Sequence, residues 1–185
     1  FSIYDTDDQK KLVIQCMREL NLDEKKFPAK NILNMIGRAK DKLLTPDQML
    51  EEGEADYLFS VAAKVYKIYQ RRLQEANALD FDDIIMLTVR LFEENPDVLA
   101  YYQSKFKYVC VDEYQDTNYA QFRLTELLSG KFRNIMVVGD DDQSIYKFRG
   151  ATIENILSFE EEFKGCRTIR LEQNYRSTEH ILEAA

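Results

Sequence analysis

The stretch that decides the fold is Val109-Cys110-Val111-Asp112-Glu113, an apolar run that stops on two adjacent carboxylates. A second run, Ile135-Met136-Val137-Val138, leads into Gly139-Asp140-Asp141-Asp142-Gln143. Apolar runs of this kind, separated by a helix-length segment, are typical of a parallel sheet covered on both faces, in which ligands bind at the carboxyl ends of the strands. The sequence therefore predicts that both polar clusters face one crevice.

Composition narrows the class of protein. The 185 residues are 45% hydrophobic and 31% charged, which is typical of a globular domain, and no apolar run is long enough to span a membrane. The net charge of -8 has the wrong sign for binding phosphate backbones by bulk charge, so any nucleic-acid contact must be local or supplied by missing parts. A start at Phe1, without Met, favours a piece of a longer protein.

Cysteine and histidine usage restrict the chemistry further. Cys16, Cys110 and Cys166 are odd in number and far apart, and the last two fall in predicted buried strands, so we expect reduced thiols and a cytoplasmic protein. The single His180 argues against a histidine-ligated zinc site or a Ser-His-Asp triad. A metal ion, if one binds, should be a hard cation on carboxylates.

The hydrophobic period divides the chain into two parts, and together they predict an α/β protein. Residues 1–104 are predicted to form a mainly helical subdomain, and residues 105–185 a partial parallel sheet with flanking helices. In the first part, Thr6 and Gln9 have capping-box spacing, a long helix is predicted over 54–76, and Asp80 is the predicted N-cap of a helix ending near 94. Prolines that could begin helices stand at Pro28, Pro46 and Pro96. The second part is predicted as strand 107–112, helix 118–129, strand 134–139, helix 152–163, strand 167–172 and a helix from Ser177.

Adjacent carboxylates at a strand end can divide the work of nucleotide hydrolysis. Asp112 could orient a magnesium ion on the nucleotide while Glu113 polarises an attacking water. The alternative is a solvated strand terminus, because the Asp-Glu pair alone is common.

Three blocks in order carry a family resemblance: Asp112-Glu113-Tyr114-Gln115-Asp116-Thr117-Asn118, the run from Gly139 to Ala151, and Gln173-Asn174-Tyr175-Arg176-Ser177-Thr178. Together they resemble the motor core of superfamily 1 DNA helicases of the UvrD/PcrA/Rep type. The segment Ala78-Leu79-Asp80-Phe81-Asp82-Asp83 is similar, less specifically, to the end of that family's helical insertion. The resemblance implies a helical insertion followed by the resumed half of a RecA-like domain, an incomplete core of the P-loop NTPase type.

The resemblance also implies residue roles. Asp112 would hold Mg²⁺, Glu113 would be the general base for the hydrolytic water, and Gln143 would sense the terminal phosphate of ATP. Tyr175 would stack on the nucleotide and Arg176 would be an arginine finger. The alternatives are a turn-stabilising hydrogen bond for Gln143 and a surface ion pair for Arg176.

Aromatic and cationic residues alternate in Tyr146-Lys147-Phe148-Arg149-Gly150, a composition suited to single-stranded nucleic acid. The resemblance implies DNA contacts by Tyr146, Phe148 and Arg149. Many family members carry Trp at the Phe148 position, so Phe148 keeps a stacking face but offers less area. For Tyr146, burial against the following helix is an open alternative.

The phosphate-binding pattern G-x-x-x-x-G-K-[ST] is absent, since Gly130-Lys131 is followed by Phe132. The longer protein is predicted to be an ATP- and Mg²⁺-dependent helicase that translocates on single-stranded DNA and unwinds duplex DNA in repair or replication. The chain alone is predicted to be inactive. A strand missing from its sheet would leave unpaired edges, so we expect rearrangement around 166–185 or self-association.

Three other readings stay open at this point. The motor could belong to an ATP-dependent helicase-nuclease. A carboxylate-metal nuclease could use Asp112, Glu113, Asp140, Asp141 and Asp142. The helical half could instead belong to a non-catalytic interaction module.

Overall fold

The computed structural model describes residues 1–53, 56–140, 143, 154–171, 173, 177–178 and 180–181. The first half is built mainly of α-helices. They are α1 (Thr6–Glu19), α2 (Ala29–Asp41), α3 (Pro46–Glu52), α4 (Tyr57–Glu75), α5 (Phe81–Glu94) and α6 (Pro96–Lys105). No helix within the described ranges is long and apolar enough to cross a membrane.

The apolar stripes predicted for the helical half form its core. Val13, Cys16 and Met17 of α1 are buried, as are Ile32 and Ile36 of α2. Helix α4 completes this core, and two of its tyrosines are fully buried. The buried residues of α4 include Val61, Ala62, Val65, Tyr66, Tyr69 and Leu73. Amphipathic helices of this kind are stabilised chiefly by packing of their apolar faces.

The helical half also contains two short strands, which the sequence did not predict. Strand β1 (Ser2–Ile3) pairs in parallel with β2 (Ala78–Leu79), which lies just before α5. Backbone hydrogen bonds extend the pairing, since the N–H of Tyr4 donates to the carbonyl of Leu79 at 2.8 Å. Two-residue strands are too short to produce a detectable period of two, so the prediction had no signal for them.

Helix starts agree with the sequence in most cases. Pro46 and Pro96 occupy the first turns of α3 and α6, and Asp80 caps α5 in a capping box with Asp83. The predicted cap at Thr6 is wrong. Asp5 is the N-cap of α1, because its carboxylate accepts from the backbone N–H groups of residues 7 and 8.

The second half contains a two-stranded parallel sheet. Strand β3 (Val109–Val111) pairs with β4 (Ile135–Val137), and α7 (Tyr119–Ser129) connects them. This parallel crossover confirms the predicted α/β class. Helix α7 packs against α2, α5 and α6, so the two predicted parts are in contact, and the boundary at 104 stays a prediction.

Three expectations for this half are wrong. The helix over 152–163 is, in its described residues, two short helices, α8 (Glu154–Leu157) and α9 (Phe159–Glu162). Residues 167–171 form no strand, and Cys166 is exposed along with them. Cys110 is exposed as well, because it lies on a face of β3 that no described element covers. Of the helix predicted from Ser177, His180 and Ile181 are helical.

Candidate functional site

The register of the sheet brings the described residues of the two polar clusters to one edge, as the sequence predicted. Val111 lies opposite Val137, so both strands end at the same level. Asp112 and Glu113 leave the carboxyl end of β3, and Asp140 follows the end of β4. The carboxyl ends of parallel strands are where ligands bind in sheets of this class.

Glu113 is held in an unusual backbone conformation. Its φ of 50° and ψ of 42° lie in the left-handed region, which costs a residue other than glycine about 1–3 kcal/mol. Its own N–H donates to Oδ1 of Asp112 at 2.9 Å, and both side chains are exposed. The turn after β3 therefore presents two accessible carboxylates at the strand end.

The buried side chain of Gln115 connects the two strand ends. Its Nε2 donates to Oε2 of Glu113 at 2.8 Å, and its Oε1 accepts from the backbone N–H of Asp140 at 3.1 Å. Gln115 is only 1% exposed. Gln115 lies inside residues 112–118, the acidic segment, but the sequence pattern predicted no role for it. Its contact with Asp140 spans 25 positions of the chain, and a local pattern does not show such a contact.

Gln143 lies against Asp140 rather than extending away from the sheet. Its Nε2 donates to Oδ2 of Asp140 at 2.6 Å, and its backbone N–H donates to the carbonyl of the same residue at 3.1 Å. These bonds match the turn-stabilising alternative for Gln143. The side chain is exposed, so a ligand at the sheet edge could reach it.

The acidic segment packs against the two short helices that follow β4, α8 and α9. Tyr114 is fully buried, and its ring meets that of Phe159 edge-on with centroids 5.7 Å apart. Asn155 donates from Nδ2 to the carbonyl of Thr117 at 3.1 Å. Buried anchors of this kind hold the exposed carboxylates of the turn in place.

The remaining predicted site residues are Tyr146, Phe148, Arg149, Tyr175 and Arg176, and they lie outside the described residues, as do Asp141 and Asp142. Their roles stay predictions. Within the ranges that the structure describes, no group of three or more His, Cys, Asp or Glu residues could hold a metal ion. The exposed carboxylate of Asp112 still fits Mg²⁺, which keeps several waters and takes one or two carboxylates together with substrate phosphates.

A polar cleft of about 710 Å³ lies at the junction of the two halves and was not predicted. Asn118, at the end of the acidic segment, donates from Nδ2 to Oδ1 of Asp41 at 2.6 Å. Partial burial and the neighbouring Asp82 carboxylate raise the pKa of Asp41 to about 7. Desolvation and the charge of Asp80 raise the pKa of Asp82 to about 6.

The chain is similar in sequence to a family of known proteins along most of its length. The chain matches the UvrD/REP helicase N-terminal domain over residues 1–164. It is 51% identical over all 185 residues to a Staphylococcus epidermidis protein named ATP-dependent DNA helicase PcrA, and 52% identical to the Staphylococcus aureus (strain Mu50) protein of that name. The chain spans 25% of the length of these relatives. The matches confirm the resemblance carried by the motif blocks and extend it through the helical half.

Proposed function

Because the chain belongs to the UvrD/REP helicase family, we propose that it is the part of an ATP-dependent DNA helicase that carries hydrolytic residues of the motor. The observation that carries this proposal is the register of β3 and β4, since it brings Asp112, Glu113 and Asp140 to one sheet edge. The relatives of this chain are named as helicases, which supports DNA and ATP as its partners.

The proposed division of work follows from the chemistry of the strand-end groups. Asp112 would hold Mg²⁺, which neutralises phosphate charge when it is bound. Glu113 would accept a proton from the attacking water at Oε1, because Oε2 accepts the hydrogen bond from Gln115. The Gln143 amide would orient that water or a terminal phosphate oxygen, since it can both donate and accept.

Residues outside the described ranges complete the proposal. Tyr175 would stack on the nucleotide, and Arg176 would neutralise charge that develops on the transferred phosphoryl group. Tyr146, Phe148 and Arg149 would contact single-stranded DNA by stacking and by phosphate contacts, coupling hydrolysis to translocation and duplex unwinding in repair or replication. A cytoplasmic location is part of the same proposal.

ATP hydrolysis in the longer protein that contains this chain tests the proposal. With single-stranded DNA present, Glu113→Gln should lower kcat by at least about 100-fold, since it removes the general base. Glu51→Gln is the matched control, because Glu51 is an exposed residue of α3, outside the acidic segment. Wild-type turnover in Glu113→Gln would refute the assigned role.

The 185-residue chain itself should hydrolyse no ATP, because its sequence lacks a phosphate-binding loop. Steady-state turnover by the purified chain that disappears in Glu113→Gln would contradict this expectation.

In the described residues β3 and β4 pair only with each other, so each strand has an unpaired edge, and unpaired edges favour self-association. Size-exclusion chromatography with light scattering measures the molar mass of the chain in solution. A monomer at all concentrations would rule self-association out.

A further inference from the structure

We propose that Gln115 is a positioning residue for ATP hydrolysis, holding the Glu113 carboxylate in a set orientation against the segment that follows β4. This inference rests on the proposed function, since it assigns to Gln115 an effect on the general base of that reaction. Gln115 itself would touch neither nucleotide nor water, because it is 1% exposed.

Both ends of the Gln115 amide are engaged, and by partners that define its orientation. A carboxylate accepts only, so the group 2.8 Å from Oε2 of Glu113 must be the donor Nε2. The backbone N–H of Asp140 donates only, so the group 3.1 Å from it must be the acceptor Oε1. Reversing the amide would lose both hydrogen bonds in a buried environment, where an unpaired polar group is unfavourable.

The close approach of Gly139 makes room for this amide. A Cβ at position 139 would lie 2.6 Å from Oε1 of Gln115, closer than a side chain tolerates. The peptide that follows β4 therefore lies directly against the Gln115 side chain. The N–H of Tyr114 also donates to the carbonyl of Val138 at 3.0 Å, so backbone and side chain together join the two strand ends.

The contact restricts Glu113 where its exposure would otherwise leave it free. An exposed glutamate has several rotamers, and fixing its side chain in one of them costs conformational entropy. The amide of Gln115 holds Oε2 and leaves Oε1 as the oxygen that is open to a water. A general base that is already oriented loses less entropy on reaching the transition state.

The same bonds extend to Gln143. Gln115 accepts from the N–H of Asp140, and Oδ2 of Asp140 accepts from Nε2 of Gln143 at 2.6 Å. Glu113 and Gln143 are thus two ends of one hydrogen-bonded chain through Gln115 and Asp140.

ATP hydrolysis by the longer protein with Gln115→Glu tests the inference. The variant keeps an acceptor for Asp140 but replaces the donor to Glu113 with a second carboxylate. We expect kcat to fall about 10- to 100-fold, while KM for ATP and the Kd for single-stranded DNA stay within about twofold. The acidic limb of the kcat–pH profile should also move to higher pH, which a loss confined to folding would not cause.

Gln121→Glu is the matched control. It makes the same chemical change nearby, but Oε1 of Gln121 acts as an acceptor from the N–H of Asn118, and Glu can take over that bond. Gln115→Met, which keeps the volume and loses both bonds, should also lower kcat and move the acidic limb to higher pH, though less far than Gln115→Glu does, because it removes a donor to the Glu113 carboxylate without adding a negative charge. Unchanged kcat in both Gln115 variants, with Glu113→Gln inactive, would overturn the inference and leave the proposed function intact.

A second measurement, on the 185-residue chain, needs no activity. In ¹H–¹⁵N spectra, the side-chain amide protons of Gln115 should exchange with solvent at least about tenfold more slowly than those of Gln121. Glu113→Gln should shift the Gln115 amide resonances more than Glu51→Gln does. Fast exchange and unchanged shifts would refute the contact, whatever the outcome of the hydrolysis assay.

Discussion

Asn118 donates from Nδ2 to Oδ1 of Asp41 at 2.6 Å, across 77 positions of the chain. The Oδ1 of the same asparagine accepts from the N–H of Gln121 and caps α7, so one side chain ends the acidic segment, starts a helix and contacts α2. The strand-end site and the helical half are therefore connected directly. This hydrogen bond adds a polar contact between α2 and the acidic segment to the packing of α2 against α7.

Asp41→Asn should remove a pH dependence of stability. The pKa of Asp41 is about 7 in the folded chain against an ordinary 3.8, so the folded state binds the proton more tightly. Its contribution therefore favours folding at low pH and is lost as the pH rises from about 4 to about 7. At pH 8 the variant should be more stable than wild type by about 1–2 kcal/mol, a value reduced for solvent screening, with little difference at about pH 3.5, below both pKa values. Urea unfolding at both pH values is the measurement.

The matched control for Asp41→Asn is Asp47→Asn. Asp47 is an exposed aspartate whose partner is the exposed Lys67, so its replacement should change stability by less than about 1 kcal/mol at either pH. A pH difference in Asp41→Asn as large as that of wild type would show that Asp41 does not cause it.

Lys40→Met should destabilise the chain strongly. Lys40 Nζ lies 2.6 Å from Oδ2 of Asp80 and 2.8 Å from Oδ1 of Asp83, and its side chain is fully buried. Removing it leaves two buried carboxylates without their cation, which costs about 3–5 kcal/mol. Chemical denaturation measures the loss, and Lys67→Met, which breaks only the exposed pair with Asp47, should cost less than about 1 kcal/mol. Equal losses in the two variants would contradict the assignment.

Gly139→Ala should displace the Gln115 amide. The added Cβ would lie 2.6 Å from Oε1 of Gln115 and 2.8 Å from Cδ1 of Ile156. Overpacking of this kind costs about 1–3 kcal/mol, and it should shift the Gln115 side-chain amide resonances and lower the Tm. Met136→Ala, at a side chain exposed on the same strand, should do neither. A Gly139→Ala spectrum with Gln115 unchanged would disprove the close contact.

Two of the three thiols should react quickly with an aromatic disulfide reagent. Cys110 and Cys166 are exposed, whereas burial raises the pKa of Cys16 to about 11 and leaves it no access to reagent. We expect two thiols to react within minutes and the third only after denaturant is added. Cys110→Ser should leave one fast thiol, and a fast reaction at Cys16 would contradict the burial.

Asp5→Ala should weaken α1 by about 1 kcal/mol, because the Asp5 carboxylate accepts from two backbone N–H groups at 2.9 Å. Thr6→Ala should change the free energy of unfolding by less than about 0.5 kcal/mol. Thermal unfolding of the two variants compares them. A larger loss in Thr6→Ala would restore the cap that the sequence predicted.

Local patterns predicted the elements that depend on neighbouring residues. The helix that follows Asp80 was found because its cap and apolar stripe are both visible within one short window of sequence. Cys110 was wrongly predicted to be buried, because an apolar run indicates a strand but not whether another element covers each of its faces. The pairing of Ser2–Ile3 with Ala78–Leu79 was missed because its two strands are short and far apart in the chain.

The sequence by itself determined the helical stripes, two apolar strands that end in carboxylates, and the motif order that identifies the family. These depend on residue type and short spacing, which chain geometry converts into structure without distant partners. Only the tertiary structure decided that Gln115 joins Glu113 to Asp140, that Lys40 lies between two buried aspartates, and that Asn118 meets Asp41. Each of these contacts is a hydrogen bond or ion pair whose geometry depends on how separate elements pack, and packing is a property of the folded chain.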